Sequence, residues 1–507
     1  MLTTLRARRA AAEYPAWQAR YREDRVGFLR DCVDWGEDEL TAYQLRVAVD
    51  MGLYDREAVR APRGAGKTAI AALLVHHWAL THDGYTDWKA LTTASNWRQL
   101  ERYLWPEVHK WARRLRWDRI PREPYNPRFE LQRMTLRLTT GEASAVASDD
   151  PETMEGAHAS ALLVIFDEAK IIPPMTWQSM EGAFSQGTGK WLAISTPGAA
   201  MGTFYDIHRQ APGRERWHTV HINLSEAVEA GRVSAEWAEG LKNTYGESSP
   251  VYRTFALAEF ADAEANGVIP LSWVQMAQAR WEDWHDGGRR RPDGSPSVVT
   301  GIGFDVGGDA GGDHSTIAIV YDGHIVGDLL KIERAVDPGR ATMELAGRVN
   351  GLAVQYRPQW LIGDVIGIGA GVVHRLRELG QNALGYNASL PTPLRDRSGE
   401  LGYVNWRAAG WYTMAEALDP KEGMGLALPP SDELMGDLTG LQGLGIVSRG
   451  LRRVESKEQV RKRLHRSPDL ADAVIHAVVG PILFMAAADE QKGRRVVQDQ
   501  IQYGEWT

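Results

Sequence analysis

Two sets of residues far apart in the chain are equipped for phosphate chemistry. The first is Arg63-Gly64-Ala65-Gly66-Lys67-Thr68, followed downstream by Leu162-Leu163-Val164-Ile165-Phe166-Asp167-Glu168. Glycines let backbone N–H groups approach phosphate oxygens. Lys67 neutralises β/γ charge, the Thr68 hydroxyl holds Mg²⁺, and the helix that follows adds its N-terminal dipole. Asp167 and Glu168 close an apolar run, which suits Asp167 to Mg²⁺ and Glu168 to orienting or deprotonating an attacking water. The full loop pattern asks for Gly at position 61, where this chain has Ala61. The plain alternative is a helix N-terminus after a flexible turn, with two solvated acids.

The second set is Asp305, Asp364 and Asp472. Asp305 and Asp364 each end an apolar strand-like run. Asp472 lies three residues after Asp469, so the two share a helix face. Carboxylates from two strand ends and a helix can converge on two Mg²⁺ or Mn²⁺ ions, the arrangement that activates water in phosphodiester hydrolysis. Each acid alone is weak, since Asp is common in turns and helix caps. Asp309 and Asp313 sit in a Gly-rich loop and serve either metal or turn.

Two further elements fit the first set. Trp191–Ile194 leads into Ser195-Thr196-Pro197, whose hydroxyls suit sensing of a γ-phosphate. Gln44, upstream of the loop, carries an amide able to pair with adenine N6 and N7. Both also have ordinary readings, as a strand cap and an exposed helical residue. A charge-stabilising arginine is expected as well, either Arg63 in cis or one within Arg98 to Arg116 from a neighbouring subunit. Arg449 to Arg466, dense in Arg and Lys, precedes Asp472 and is expected to attract DNA phosphate, with a solvated helix face as the alternative.

The elements that must position these groups follow from pattern. From Glu39 to about Asp262, apolar strands such as 90–94, 161–166 and 191–196 alternate with amphipathic helices, an α/β domain with a parallel sheet. Residues 69–80 read as an apolar helix. Asp286 to Pro296 is rich in Gly, Pro and charge, and reads as linker or exposed loop. Val299–Asp305 opens a new strand, 315–321 and 325–332 form a hairpin around Asp322-Gly323, and 468–485 closes as an apolar helix. The expected division is a helical lead-in at 1–38, a first domain at 39–262, a linker at 263–297, a second domain at 298–485 and a polar tail at 486–507.

A chain of 507 residues exceeds one hydrophobic core. Apolar content of 43% and charged content of 24% are those of an ordinary globular protein. The single cysteine, Cys32, excludes an internal disulfide and fits a reducing cytoplasm. No apolar stretch is long enough to span a bilayer. A net charge of −8 does not exclude nucleic acid, because binding follows local patches.

The order of Gln44, Arg63 to Thr68, Phe166-Asp167-Glu168-Ala169, Ser195-Thr196-Pro197, Phe304-Asp305, Gly363-Asp364 and Ser467 to Ala473 resembles the large terminase subunit of tailed double-stranded DNA bacteriophages. The resemblance implies an N-terminal P-loop ATPase domain of ASCE, RecA-like type and a C-terminal RNase H-like nuclease domain. It assigns Lys67, Thr68 and Asp167 to ATP and Mg²⁺, Glu168 to catalysis, and Ser195-Thr196-Pro197 to coupling of hydrolysis with DNA movement. It places Asp305, Asp364 and Asp472 on the metal-binding acids of an endonuclease. It further implies double-stranded DNA, the procapsid portal and a small terminase subunit as partners, a ring of five subunits, and residence in the host cytoplasm during assembly rather than in the mature virion. The rival enzyme, an ATP-dependent helicase-nuclease of repair or defence, would need a second RecA-like lobe, for which 262–299 leaves no room. A non-enzymatic DNA-binding scaffold with a dead loop is the remaining alternative.

Overall fold

Seven consecutive buried residues, Ala161–Asp167, make a strand that can exist only inside a sheet covered on both faces. The computed structural model places it so. The structure describes residues 2–94, 97–146, 158–184, 188–261, 266–307, 314–332, 338–447, 450–464 and 466–488. The chain forms two units, Met1–Glu239 with Arg253–Ala261, and Gly240–Tyr252 with Asp262–Thr507.

In the first unit, helices α1 (Leu2–Glu23), α2 (Arg25–Asp31) and α3 (Ala42–Leu53) precede strand β1 (Arg56–Arg60) and helix α4 (Lys67–His82). Strands β2 (Trp88–Thr93), β3 (Leu131–Gln132), β4 (Thr135–Arg137), β5 (Gly141–Ala145), β6 (Ala161–Asp167), β7 (Thr188–Ser195) and β8 (His218–His221) complete an eight-stranded sheet of order β3-β4-β5-β2-β6-β7-β1-β8. The strands around β6 run parallel. One strand, β7, lies between the strand leading into the glycine loop and the strand ending in Asp167-Glu168, which is the ASCE arrangement.

Helix α4 is buried from Ile70 to His82, which explains its unbroken apolar run. It is covered by the chain's own beginning. Trp17, Tyr21, Phe28 and Cys32 share a core cluster with α4, and Phe28 meets His77 edge-on at 5.2 Å. The expected separate lead-in at 1–38 is therefore part of the first unit, because the apolar outer face of α4 needs a lid.

The second unit is built on strands β9 (Val299–Asp305), β10 (Ser315–Tyr321), β11 (Ile325–Ile332), β12 (Trp360–Asp364) and β13 (Ala383–Tyr386), in the order β11-β10-β9-β12-β13. β10 is antiparallel to both neighbours, while β12 is parallel to β9 and β13. This is the RNase H-like topology. The β10–β11 turn rests on Asp322 and Gly323, at φ 51° and 80°, with His324 N–H donating to Tyr321 O at 3.2 Å. A three-stranded sheet of β14 (Gly402–Tyr403), β15 (Gly443–Val447) and β16 (Leu451–Val454) has β16 in its middle.

Helix α5 (Leu271–Asp286) falls inside the stretch expected as linker. Its Trp284 belongs to the core cluster of Ile302 and Phe304, and Arg291 beyond it pairs with Asp322 at 2.7 Å. Segment 263–297 is thus an integral part of the second unit where it is described, held by aromatic burial that its polar composition hides. Residues 240–252 also join the second unit, so the boundary expected at 262 is crossed earlier and recrossed. Helix α6 (Trp406–Leu418) and helix α7 (Asp469–Val478) complete the parts the site uses. The apolar run that α7 opens bends by 49° before a second helical segment, Gly480–Ala488. Among the described residues no single helix is long and apolar enough to cross a membrane. The tail expected from 486 lies outside the described residues beyond 488.

Two candidate catalytic sites

The first site gathers at the C-terminal ends of β1, β6 and β7. Gly64 and Gly66 stand at φ 85° and 78°, a backbone that favours glycine. A Cβ on Gly66 would come within 3.1 Å of Gln44 Nε2. Ala61 is not among the residues of positive φ, and its N–H donates to Ser195 O at 3.2 Å. The irregular position therefore needs no glycine. Ala65 is buried, and its carbonyl accepts from Tyr43 Oη at 2.8 Å. Thr68 follows Lys67 in the first turn of α4.

Lys67 Nζ donates to Pro62 O and to Thr196 Oγ1, both at 2.9 Å. Burial pushes its ammonium down to about 8. Asp167 is buried at the end of β6, and burial, reinforced by neighbouring Glu168, pushes its carboxyl up to about 7. Burial works against the Glu168 charge too. The ammonium groups of Lys170 and Lys67 and the Ser195 hydrogen bond outweigh it and hold that carboxyl below its ordinary value. Ser195 Oγ donates to Glu168 Oε2 at 3.1 Å, and Lys170 Nζ stands 3.6 Å from the same oxygen. Glu168 itself has φ 49°, strained for a side-chain-bearing residue.

Gln44 sits beneath the loop rather than at the surface. It is 1% exposed, its Nε2 donates to Gly66 O at 3.3 Å, and its Oε1 accepts from Thr41 N at 3.1 Å in a capping box. The amide expected to read a base braces the loop here. The Arg63 guanidinium lies 3.6 Å from the Phe255 ring centroid, and its N–H donates to Phe255 O at 2.9 Å.

The second site is a cavity of about 470 Å³ lined by Asp305, Asp364 and Asp472 together with Arg407, Lys457 and His476. Asp305 and Asp364 end β9 and β12, adjacent parallel strands, and Asp472 lies on α7 packed over β9. Lys457 Nζ contacts Asp305 Oδ2 at 2.9 Å, Asp469 Oδ1 at 3.0 Å and Asp472 Oδ2 at 3.4 Å. Burial and the neighbouring acids raise the Asp305 carboxyl well above its ordinary range despite Lys457. Burial also raises Asp364. Asp472 goes the other way: burial opposes its charge, but Arg407 and Lys457 prevail and hold it low. His476 is driven down to about 4 by burial and is neutral, with Nδ1 donating to Phe304 O at 2.9 Å.

The carboxylate oxygens form a hard donor set suited to Mg²⁺ or Mn²⁺. Among the described residues no group of three or more His, Cys, Asp or Glu is drawn close enough to enclose a metal. The negative charge is instead balanced by Lys457. Asp305, Asp364 and Asp472, the acids expected to hold divalent ions, line this cavity together.

The sequence brought out the three acids but not Lys457, Arg407 or His476 as members of their site. His476 stands one turn from Asp472, a spacing that could have flagged it. Lys457 was grouped with a basic run facing DNA. Within that run Lys457, Arg463 and Arg466 pair with Asp305, Glu455 and Asp437 of this same chain. Arg452 pairs with Asp396 at 3.3 Å. Asp309, Asp313 and Arg449 lie outside the described residues.

Comparison with known proteins agrees in kind. A probable terminase large subunit of Enterobacteria phage P7 is 27% identical over 136 residues, a match spanning 25% of this chain and 27% of that relative. The resemblance is to phage large terminases. A large terminase structure from a thermophilic bacteriophage is 14% identical with a TM-score of 0.41, covering 88% of this chain and 100% of that one. The nuclease domain of the large terminase subunit of bacterial virus Sf6 is 20% identical with a TM-score of 0.33, covering 41% and 96%. No family model matches the chain.

Proposed function

We propose that the chain is the large terminase subunit of a tailed double-stranded DNA phage: an ATP-driven DNA translocase that also cuts the concatemeric genome. The observation that carries this is the pairing, on one polypeptide, of the Lys67/Asp167/Glu168 constellation with the Asp305/Asp364/Asp472 cavity. In the first site the loop N–H groups and Lys67 bind the ATP phosphates, Thr68 and Asp167 hold Mg²⁺, and Glu168 orients the attacking water. Phosphate there would compete with Thr196 for Lys67, which would pass the nucleotide state to the Ser195-Thr196-Pro197 segment. In the second site Asp305, Asp364 and Asp472 bind divalent ions, which supply Lewis-acid activation of water and of the leaving oxygen. Arg407 holds Asp472 in place and ionised, and Lys457 balances the acids until then.

The partners that follow are double-stranded DNA, a portal on the procapsid, a small terminase subunit, and further copies of the chain in a ring of five. The place of action is the host cytoplasm during assembly. The test is separation of the two activities. Glu168→Ala should abolish DNA-stimulated phosphate release while leaving metal-dependent plasmid cleavage, and Asp305→Ala should do the reverse. Loss of both activities in either folded variant would sink the proposal.

A further inference from the structure

The carboxylate cavity is larger than its acids and their ions require. At about 470 Å³, against about 30 Å³ for a water in the liquid, it has room for a phosphodiester group beside any cation. One wall is α6. Arg407 and Trp411 stand one turn apart on it, hence on one face, and both line the cavity.

Arg407 is 8% exposed and only partly spent. Its Nε donates to Glu455 O at 3.0 Å, and its Nη1 reaches both Asp472 oxygens at 3.3 and 3.4 Å. Its Nη2 is buried without a hydrogen-bond partner. Trp411 is 1% exposed, its Nε1 is likewise unpartnered, and its ring centroid lies 5.8 Å from the Arg407 guanidinium carbon. Lys457, by contrast, is engaged by three carboxylates. Buried donors left without an acceptor are costly. Both residues line the cavity, and their unpartnered donors, one of them cationic, match an acceptor with more than one oxygen and negative charge.

We infer that Arg407 Nη2 and Trp411 Nε1 hold the nonbridging oxygens of a backbone phosphate of the DNA strand being cut. One guanidinium then fixes both Asp472 and the substrate, setting the phosphate in register with the carboxylates. This rests on the nuclease reading of the cavity. The contact is to phosphate, so it positions DNA without selecting sequence.

The test uses the full chain with Trp411→Phe, which keeps a ring and removes the donor, and Arg407→Lys, which keeps charge and removes Nη2. Three measurements are made: KM and kcat for cleavage of a short DNA duplex, binding of the same duplex in Ca²⁺ by fluorescence anisotropy, and Mn²⁺ binding without DNA by calorimetry. The expected result is a rise of about tenfold in KM and in duplex Kd for Arg407→Lys, and of about threefold for Trp411→Phe, the range of one lost hydrogen bond. Mn²⁺ affinity of Trp411→Phe should stay at the wild-type value. Wild-type duplex affinity in both variants would overturn the inference. So would lost Mn²⁺ binding with KM unchanged, which would make these residues braces for Asp472 alone. If the unaltered protein neither binds Mn²⁺ nor cleaves DNA, the nuclease reading fails first and the inference falls with it.

Discussion

The Lys67 ammonium donates to the Thr196 hydroxyl at 2.9 Å, joining the start of α4 to the residue that follows β7. The bond occupies a side chain that a nucleotide's phosphates would claim. Its partner stands next to Ser195, which in turn holds Glu168 at 3.1 Å. Two adjacent hydroxyls thus meet the lysine and the glutamate, Thr196 the one and Ser195 the other.

Thr196→Val is the direct probe of the lysine contact. It removes the hydroxyl while keeping the branched shape that packs after β7. ATP turnover should fall about tenfold, the worth of a hydrogen bond to a charged group. Nucleotide affinity should rise, by up to about tenfold, because Lys67 no longer has a bond to give up. Phosphate release and binding of a fluorescent ADP, measured side by side, separate the two effects. A loss confined to affinity would show Thr196 to be a phosphate contact only.

Asp167 gives the first site a pH dependence. Its carboxyl is pushed up to about 7 by burial and Glu168, so near neutrality a cation there competes with a proton. Magnesium-dependent ADP affinity should weaken as pH falls below about 7, by up to about tenfold per unit. In the metal-free protein the sign for stability is opposite. The folded carboxyl binds its proton more tightly than the unfolded one, so stability falls as pH rises from about 4 to about 7. Asp167→Asn should remove both dependences, read by titration calorimetry and by denaturant melts across that range.

What the sequence made legible is what local pattern dictates. The second unit's first strands, Val299–Asp305, Ser315–Tyr321 and Ile325–Ile332, fall where apolar runs and the Asp322-Gly323 turn place them. Asp305, Asp364 and Asp472 share a cavity because strand ends and a helix face are readable from period alone. The neighbours that tune them were not readable. Arg407 and Lys457 arrive from elements distant in the chain, and nothing in their local sequence marks an inward side chain. Helix α5 was hidden by its charges, since only Trp284 and three other residues on it are buried. Within the basic run before Asp472, Arg466 and Arg452 pair with Asp437 and Asp396, acids that lie outside it.

Lys457→Met tests whether an ammonium stands where cations would act. Without it Asp305, Asp469 and Asp472 are left facing one another in a buried setting, at a cost of about 3 kcal/mol. Divalent metal should restore most of that loss, so denaturation midpoints should converge with wild type in Mn²⁺ and diverge in chelator. An equal loss in both conditions would make Lys457 a strut for β9 and α7, unrelated to metal.

Gly303 decides whether α7 can carry Asp472 to the sheet. A Cβ there would lie 2.3 Å from Ala477 N and 2.4 Å from Ala473 O, backbone atoms of α7 that cannot rotate away. The helix approaches β9 this closely only over a residue without a side chain. Gly303→Ala should therefore lift α7, destabilise the second unit by about 3 kcal/mol as over-packing does, and draw Asp472 away from Asp305. Metal-dependent cleavage should drop while ATP turnover persists, since Gly303 and α7 both belong to the second unit. Gly347→Ala is the matched control. It lies in helix Pro338–Tyr356, where an added Cβ meets nothing within 4 Å, and it should leave cleavage intact with stability equal or slightly higher. Melting curves and plasmid nicking for the pair would show whether the close approach at Gly303, rather than alanine itself, is what the site depends on.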